Sequence, residues 1–146
     1  MSDVLTQEQR SRCMSNIKGK DTKPEMFVRR LVHAMGYRYR LHRRDLPGTP
    51  DLVFPKHRKV IFVHGCYWHR HNCPEGQVRA KTNSEFWENK IQGNVARDLR
   101  NQAELERMGW QVLLVWECWT KDPAKLESII KNFLSASPAI KKSTNV

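Results

Sequence analysis

The stretch from residue 60 to residue 73 holds the side chains best suited to chemistry. Its sequence is Val-Ile-Phe-Val-His-Gly-Cys-Tyr-Trp-His-Arg-His-Asn-Cys. The first four residues are apolar and mostly β-branched, which predicts a short buried strand. Three histidines, two cysteines and a Tyr-Trp pair follow that strand within ten residues. Metal ligands, bases and stacking rings at such density indicate a functional site at the end of the strand.

Zinc binding is the first chemistry that these residues suggest. Four residues can supply the ligands, three of them close in sequence and one just past a later apolar segment: Cys66, His71, Cys73 and Cys118. Three thiolates and one imidazole form a tetrahedral donor set typical of structural zinc. We therefore predict a zinc ion that ties the loop after the strand over residues 60–63 to the end of the later apolar segment over residues 110–116. From spacing alone, His69 or Cys13 could be the fourth ligand instead of His71. The alternative to a zinc site is three reduced cysteines that lie near the same edge and bind no metal.

Metal-dependent hydrolysis is the second chemistry. Pro50-Asp51 precedes an apolar segment, which a short polar turn joins to the strand over residues 60–63. This is the layout of restriction-type nucleases, in which the aspartate binds Mg²⁺ through a hard oxygen ligand and a Glu-x-Lys or Asp-x-Lys follows. Here Val63-His64 stands at that second position. An isolated Pro-Asp is equally expected in a turn before a strand, so this motif needs further support.

The charge of the chain indicates a polyanionic partner. Among its 146 residues, 26 Lys and Arg stand against 15 Asp and Glu, which gives a formal net charge of +11 and a pI near 9.9. A balance this basic favours nucleic acid or an anionic membrane surface. We expect no membrane association, because no apolar run is long enough to span a bilayer and no signal peptide or lipidation motif is visible. Four cysteines without a secretory signal favour a reducing, cytoplasmic location.

The remaining elements must bring the candidate residues to one edge of a sheet. Helix and strand periods predict a helix capped by Thr22 and Glu25 and ended by Gly36, strands over 37–44, 51–54 and 60–63, a helix from Asn83 or Ser84 to about Met108, a strand over 110–116, and a helix from Asp122. The short polar turn between the second and third strands predicts an antiparallel pair, and the fourth strand can join by a helical crossover. The expected fold class is α/β, a mixed sheet flanked by helices.

Periodicity also separates expected core residues from expected site residues. Five residues at helical spacing predict the face of the long helix that packs on the sheet: Ile91, Val95, Leu99, Gln102 and Leu105. We expect Trp110 and Trp116 in the core, because they belong to the fourth strand. Three histidines outside the 60–73 stretch follow no pattern, and we expect them to be ordinary helix, strand and turn residues: His33, His42 and His57.

Four segments of the chain resemble the very short patch repair endonucleases. They are Pro50-Asp-Leu-Val-Phe54, the 60–73 stretch, Glu85-Phe-Trp-Glu-Asn-Lys-Ile-Gln-Gly-Asn94 and Gly109-Trp-Gln-Val-Leu-Leu-Val-Trp-Glu-Cys118. The Thr22-x-x-Glu25 helix start is similar as well, so the resemblance spans residues from about 10 to 120. The histidine–cysteine stretch is its most specific part.

This resemblance implies a restriction-endonuclease-like fold, related to the PD-(D/E)xK nucleases. It implies an enzyme that nicks one strand of duplex DNA 5′ to the thymine of a T:G mismatch, which arises when 5-methylcytosine deaminates. The reaction would be Mg²⁺-dependent phosphodiester hydrolysis and would begin very short patch repair. A monomer in the bacterial cytoplasm, associated with the nucleoid and with possible repair-pathway partners, completes the expectation. The domain division would be a basic arm over residues 1–20, an endonuclease domain over 21–135 and a tail over 136–146.

The resemblance also implies roles for individual residues at a catalytic centre. Asp51 and the backbone carbonyl of Val63 would hold the Mg²⁺ ion. His69 would activate the attacking water, and His64 would contact the scissile phosphate or a metal-bound water. Glu25 would support His69 and the metal waters, a role compatible with its place at a helix N-terminus.

Zinc and DNA contacts follow from the same resemblance. The implied structural zinc ligands are Cys66, His71, Cys73 and Cys118, in agreement with the composition of the cluster. Three rings would wedge into the base stack beside the mismatch: Tyr67, Trp68 and Trp87. Lys90 and Asn94, four residues apart on one helix face, would read the mismatched pair. Met14 on the N-terminal arm would enter from the opposite groove.

Two other functions remain compatible with the residues themselves. A zinc-stabilised DNA-binding protein without catalysis would explain the charge and the aromatic residues, and it would bind DNA with strong salt dependence. A restriction-type nuclease without mismatch specificity would explain Asp51 and would cut matched and mismatched duplexes equally. A His-Asn-His nuclease is less well supported, because His69, His71 and Asn72 lack the ββα spacing.

Overall fold

The computed structural model describes residues 22–136. Within this range the strands and α-helices are, in chain order, α1 (Lys23–Ala34), β1 (Arg40–Leu41), β2 (Leu52–Phe54), β3 (Lys59–His64), α2 (Ser84–Arg107), β4 (Gln111–Trp116) and α3 (Pro123–Ser135). The expected basic arm with Met14, the alternative ligand Cys13 and the tail from residue 137 lie outside the described residues. The division into arm, domain and tail therefore stays a prediction.

The four strands form one mixed sheet in the order β1-β2-β3-β4. The β1–β2 and β2–β3 pairs are antiparallel, whereas β3 and β4 are parallel and connected through α2. This arrangement confirms the predicted antiparallel pair and the helical crossover. In the parallel pair His64 stands opposite Trp116, so both strands end at the same edge of the sheet. The segments that follow these two residues meet at that edge.

Helices cover both faces of the sheet. On one face α1 and α3 contribute apolar residues to a buried cluster with β2 and β3, including Val28, Ile130, Leu52 and Ile61. On the other face Leu105 of α2 and Trp110 pack with Val53, Val60 and Phe62. Alternating residues of β2 and β3 therefore face opposite helix layers, which explains why these strands are apolar at nearly every position. Trp110 is 5% exposed, as expected of a core residue.

The start of α1 and the ends of α1 and α2 follow the predicted signals, whereas Asn83 before α2 makes no side-chain capping hydrogen bond. The Oγ1 atom of Thr22 accepts a hydrogen bond from the Glu25 backbone N–H at 3.3 Å, which caps α1. Gly36 and Gly109 adopt φ angles of 88° and 93° just after α1 and α2. Glycine is favoured at these positions because a left-handed backbone ends a helix and strains residues with a Cβ atom.

Two predictions about individual elements were wrong. The strand expected over 37–44 is reduced to Arg40–Leu41, because Tyr37 and Tyr39 pack on the core near Phe54. Leu99, expected on the buried face of α2, is 65% exposed. Each helical residue advances by about 100°, so position 98 continues the buried line of positions 91, 95, 102 and 105 better than position 99 does. Asp98 occupies that inward position.

A buried lysine joins β3 to the last helix. Lys59 is 1% exposed, and its Nζ atom donates to the carbonyl oxygens of Phe133 at 2.5 Å and Ala136 at 2.6 Å, and to that of Leu134 at 3.3 Å. These carbonyls belong to the last turn of α3 and to the capping residue after it, where helix acceptors lack intrahelical donors. Burial lowers the pKa of Lys59, but a cation in this position satisfies several helix-end acceptors at once. The start of β3 is thereby fixed to the end of α3.

Candidate active site

Three clusters of potential ligands lie at the edge where β3 and β4 end. Their members are Glu25, His42 and Asp51 in the first cluster, His64, His69 and Asp98 in the second, and Cys66, His71, Cys73 and Cys118 in the third. Within each cluster, one nitrogen, oxygen or sulfur atom of every member lies within 4.8 Å of the others. The dipeptide Val63–His64 joins the first cluster to the second, because Asp51 contacts Val63.

The first cluster contains two buried carboxyl groups. The Oδ2 atom of Asp51 accepts a hydrogen bond from the Val63 backbone N–H at 2.7 Å. Glu25 is 2% exposed. Burial raises the pKa of Asp51 to about 7 against the effect of the Val63 N–H, and the Glu25 carboxylate raises it further. Two carboxyl groups held together out of water are a favourable site for a divalent cation, which compensates their charge.

His42 completes the first cluster, although we expected it to be an ordinary strand residue. Its Nε2 atom lies 2.7 Å from Oε2 of Glu25 and 3.8 Å from Oδ1 of Asp51. Arg29, one turn further along α1, also contacts that Glu25 oxygen. No local spacing in the sequence points to His42, because strand pairing brings it to Asp51 from another part of the chain.

The second cluster contains two stacked imidazole rings and one carboxylate. The His64 and His69 rings are 3.8 Å apart and nearly parallel, at 5°. The Nδ1 atom of His69 lies 2.5 Å from Oδ2 of Asp98, and Nδ1 of His64 lies 3.9 Å from the same oxygen. A carboxylate at Nδ1 favours the tautomer that carries its proton there, which leaves Nε2 of His69 as an acceptor. This is the arrangement of a general base with an orienting group.

His64 differs from His69 in burial. His64 is 6% exposed, and within the described residues its Nδ1 atom has no hydrogen-bond partner. Burial and the neighbouring His69 lower the pKa of His64 to about 4, although Asp98 opposes that effect. His64 is therefore neutral near pH 7, whereas the His69 side chain is 25% exposed and open to solvent. A neutral buried imidazole can donate or accept one hydrogen bond to a phosphate oxygen or a water.

Asp98 is the member of this cluster that local sequence patterns do not indicate. It lies on α2, 29 residues after His69, at the inward position that the helical pattern assigns to its neighbour Leu99. A polar residue that follows the buried line of an amphipathic helix is the signal that could have found it. An aspartate at such a position requires a partner, and here the partner is His69.

The third cluster fits a tetrahedral zinc ion. The Nδ1 atom of His71 lies 3.7 Å from Sγ of Cys66 and 3.5 Å from Sγ of Cys118. Tetrahedral ligands with Zn–S bonds near 2.3 Å are separated by about 3.8 Å, so these distances suit the ion. Burial raises the pKa of the Cys66 thiol to about 12, so this thiol ionises near neutral pH only if a cation stabilises the thiolate. His69, the alternative ligand, belongs to the second cluster.

The ring of Trp116 separates the third cluster from the second. It stacks on His71 at 4.2 Å and 15°, and it meets the edges or faces of His64 at 5.2 Å and His69 at 6.5 Å. Trp116 was expected in the core. It is only half-buried, because it stands at the end of β4 between the two clusters rather than inside the sheet.

The three rings expected to contact DNA lie together beside the second cluster. Tyr67 and Trp68 are 5.0 Å apart, and Trp68 meets Trp87 of α2 at 5.8 Å, both edge to face. Phe86, which no sequence pattern indicates as a DNA contact, extends this group at 5.0 Å from Trp87 and is 60% exposed. Partly exposed rings in such a row form a surface suited to stacking on bases.

Lys90 and Asn94 follow the aromatic group along α2. Lys90 is exposed, whereas Asn94 donates from Nδ2 to the Trp68 carbonyl oxygen at 3.0 Å. Arg97 donates to Oδ1 of Asn94 at 2.9 Å. The Asn94 amide therefore connects the loop that carries Tyr67 and Trp68 to α2.

Comparison with known proteins places this chain in a family. The sequence model of the DNA mismatch endonuclease Vsr family matches residues 2–75. The type II nicking enzyme V.XorIIP of Xanthomonas oryzae pv. oryzae is 49% identical over 137 residues, which cover 94% of this chain and 100% of that protein. The DNA mismatch endonuclease Vsr of Escherichia coli K12 is 43% identical over 126 residues, 86% of this chain and 80% of that protein. The chain belongs to the Vsr family. The predicted resemblance is confirmed, and with it membership in a family of DNA mismatch endonucleases.

A solved structure supports the fold of this Vsr-family chain. The catalytic domain of the homing endonuclease I-Bth0305I superposes with a TM-score of 0.54 and 22% sequence identity, and the match covers 77% of this chain and 93% of that domain. The mixed sheet flanked by helices is thus an endonuclease-like fold, as predicted. Within residues 22–136, no helix combines the length and the apolar character needed to cross a bilayer.

Proposed function

We propose that this Vsr-family chain nicks one strand of duplex DNA 5′ to the thymine of a T:G mismatch by divalent-metal-dependent hydrolysis. One observation carries the proposal: the carboxylate cluster around Asp51 and the histidine cluster around His69 adjoin each other through Val63–His64. A site for a hard cation beside an oriented general base is what phosphodiester hydrolysis requires. The rings next to His69 supply a surface that can engage the mismatched base pair.

Mg²⁺ is the metal that we propose for the first cluster. The side chain of Asp51 and the backbone carbonyl of Val63 would hold it, because the Asp51–Val63 hydrogen bond keeps both groups together. When bound, Mg²⁺ supplies positive charge to the scissile phosphate and favours ionisation of water. Glu25 would bind waters beside Asp51 rather than the phosphate, because its carboxylate is buried next to His42 and Arg29.

Proton transfer falls to the second cluster in this mechanism. The Nε2 atom of His69 accepts the proton of the attacking water, while Asp98 holds the ring and stabilises the imidazolium that forms. His64 remains neutral because of its burial and hydrogen-bonds a phosphate oxygen or a water. The two stacked rings thus serve different steps, one as base and one as neutral hydrogen-bonding group.

Recognition rests on the aromatic group and α2. Insertion of Tyr67, Trp68 and Trp87 requires unstacking of the duplex, which is less costly beside a mispair than in matched DNA. Lys90 and Asn94 would then face the opened pair, and Met14 would approach from the opposite groove. The basic charge of the chain supports backbone binding.

Zn²⁺ is the ion that we propose for the third cluster, as a structural tie between the loop after β3 and the segment after β4. We propose further that the enzyme acts as a monomer in the bacterial cytoplasm at the nucleoid, with repair-pathway proteins as possible partners. The fixed loop would hold His69 and Trp68 in place, since both lie between Cys66 and Cys73.

The test is nicking of labelled duplexes that carry one T:G pair in varied flanks, with C:G duplexes and an Asp51→Ala protein as controls. A single Mg²⁺-dependent nick 5′ to the mismatched thymine, absent from both controls, is the expected result. Equal cutting of matched duplexes would favour a restriction-type nuclease. Salt-sensitive binding without a nick in any flank would favour a zinc-stabilised binding protein.

A further inference from the structure

We propose that His42 is a positioning residue of the metal site, which holds the Glu25 carboxylate beside Asp51. This inference rests on the proposed function, because it assigns a further residue to the same site. It starts from a histidine that local sequence patterns leave without a role. The structure brings this histidine into contact with both carboxyl groups of the first cluster.

Strand pairing delivers His42 to the site. Leu41 pairs with Leu52 in the β1–β2 register, and the next backbone N–H, that of His42, lies 3.4 Å from the Asp51 carbonyl oxygen. His42 then adopts a left-handed φ of 47°, which ends the strand. Histidine is among the few residues with a Cβ atom that are enriched in this conformation. The backbone thus holds His42 directly across from the proposed metal ligand.

The contact itself has the geometry of a charge-assisted hydrogen bond. The Nε2 atom of His42 lies 2.7 Å from Oε2 of Glu25, a carboxylate that is 2% exposed. Arg29 contacts the same oxygen but belongs to the same helix as Glu25. His42 comes from the sheet, so its bond fixes α1 relative to the sheet edge that carries Asp51. This link keeps Glu25 beside Asp51, where two carboxylates otherwise repel each other.

The alternative is that His42 only fills space at the end of β1. The two roles differ in what a change at His42 does to metal binding. If the Nε2–H donor holds Glu25, then a side chain that keeps a donor at the same reach preserves metal affinity. If His42 only fills space, then the reach of the donor has no effect.

The experiment compares His42→Gln with His42→Asn. The amide nitrogen of glutamine reaches the place of Nε2, whereas that of asparagine is too short, and asparagine tolerates the left-handed backbone well. Mg²⁺ titration of the DNA-free protein by calorimetry measures affinity without activity. We expect His42→Asn to weaken Mg²⁺ binding and to lower kcat roughly tenfold to hundredfold at unchanged KM for DNA, the range of effects when a hydrogen-bonding group outside the metal's own ligand set is lost. His42→Gln should retain most of both, and His33→Gln, an exposed change on α1, should match the unmodified protein.

A double-variant cycle tests whether His42 acts through Glu25. In a Glu25→Gln background the change His42→Asn should have little further effect on Mg²⁺ affinity, because the group it positions is altered already. Equal Mg²⁺ affinity of His42→Asn and the unmodified protein, or fully additive losses in the cycle, would overturn the proposal. If no T:G duplex is nicked by the unmodified protein, the proposed function fails, yet the titrations still decide the role of His42.

Discussion

The Nδ1 atom of His69 lies 2.5 Å from Oδ2 of Asp98, which joins the loop after β3 to the middle of helix α2. The geometry makes Asp98 the group that orients the proposed general base. Its effect on catalysis should therefore appear in kcat and leave DNA affinity unaffected.

Asp98→Asn tests this relationship with a side chain of the same size. The amide removes the charge that stabilises the imidazolium of His69, so we expect kcat to fall by up to about 10⁴-fold, the loss when a carboxylate that orients a catalytic histidine becomes an amide. His69→Ala removes the base itself and should cost roughly 10²–10⁴-fold. Single-turnover nicking of T:G duplexes gives the rates, and gel-shift assays give the DNA Kd. Asp45→Asn, an exposed aspartate paired with Arg43, is the control. A wild-type rate for Asp98→Asn would remove Asp98 from the mechanism.

Mg²⁺ should stabilise the protein more at about pH 8 than at about pH 6. Burial raises the pKa of Asp51 to about 7, so the folded protein binds this proton more tightly than the unfolded chain does. Without a cation, that contribution to stability is fully present below about pH 4 and is lost as the pH rises through about 7. Mg²⁺ binds the ionised carboxylate, so its stabilising effect grows over the same range.

Thermal unfolding with and without Mg²⁺ at each pH measures this effect. The difference between the two melting temperatures at one pH cancels contributions from groups that do not interact with the ion, and so isolates the metal site. Asp51→Asn should remove the dependence of that difference on pH. An equal Mg²⁺ effect at both pH values in the unmodified protein would contradict a cation site at Asp51.

Zinc should be present at about one ion per chain and should be required for folding. Metal analysis of purified protein measures the content. We expect Cys118→Ser to weaken zinc binding and lower the melting temperature, because it removes the ligand that ties the segment after β4 to the loop. Strong chelation should unfold this part of the molecule. Near-UV circular dichroism of the tryptophans would monitor this unfolding. Protein that folds and nicks with no zinc would exclude a structural zinc.

Gly76→Ala should destabilise the loop over residues 66–76, which carries three of the proposed zinc ligands. A Cβ atom at this position would lie 2.0 Å from the His71 carbonyl oxygen. The turn over Glu75–Gln77 must therefore move away from His71, which is a proposed zinc ligand. Overpacking of this kind costs about 1–3 kcal/mol. Chemical denaturation measures the change in the free energy of unfolding.

Gly93→Ala is the matched control for Gly76→Ala. Gly93 lies within α2, and its Cβ atom would meet nothing within 4 Å. An added methyl group in a helix interior should stabilise the protein by roughly 0.5–1 kcal/mol. We therefore expect changes in the free energy of unfolding of opposite sign for the two substitutions. No change for Gly76→Ala would show that the loop can rearrange to accept the methyl group.

Trp68→Ala should weaken binding to T:G duplexes by about 1–3 kcal/mol, the loss of one stacked ring. Trp68→Phe keeps a smaller ring and should recover part of it. Fluorescence anisotropy with T:G and C:G duplexes measures both affinity and discrimination. Tyr39→Phe, a change in a ring packed near Phe54 away from this group, should leave binding unchanged. Equal binding by Trp68→Ala and the unmodified protein would exclude Trp68 as a wedge.

Local signals predicted most of the elements, because caps, turns and helical periods depend on neighbouring residues. Thr22, Gly36 and Gly109 mark helix ends for reasons that are already present in the sequence. The short turn after Phe54 determines the β2–β3 hairpin, and the crossover through α2 follows from chain length. These features need no long-range contact to be recognised.

The members of the site that were missed depend on long-range contacts. His42 reaches Asp51 only through the β1–β2 register, which no residue near His42 announces. Asp98 was missed because an apolar residue, Leu99, was preferred for the buried face of α2. At about 100° per residue, the inward position is that of Asp98, and Leu99 is exposed. In both cases a polar contact in the folded protein identifies the residue, and composition and local spacing do not show that contact. A polar residue on the buried line of a helix is better interpreted as half of a pair.

The indole of Trp116 lies between the His64–His69 pair and the Cys/His cluster and contacts both. Its ring stacks on that of His71 with 4.2 Å between the ring centroids, and the centroid of the same ring lies 5.2 Å from that of His64. A designer who replaced the four proposed zinc ligands by a disulfide or by apolar side chains would also have to reposition this indole, and with it the surface on which the histidine pair rests. The two centres therefore cannot be engineered as independent modules, and a graft of the active site into another scaffold must carry the metal-binding loop and the end of β4 with it.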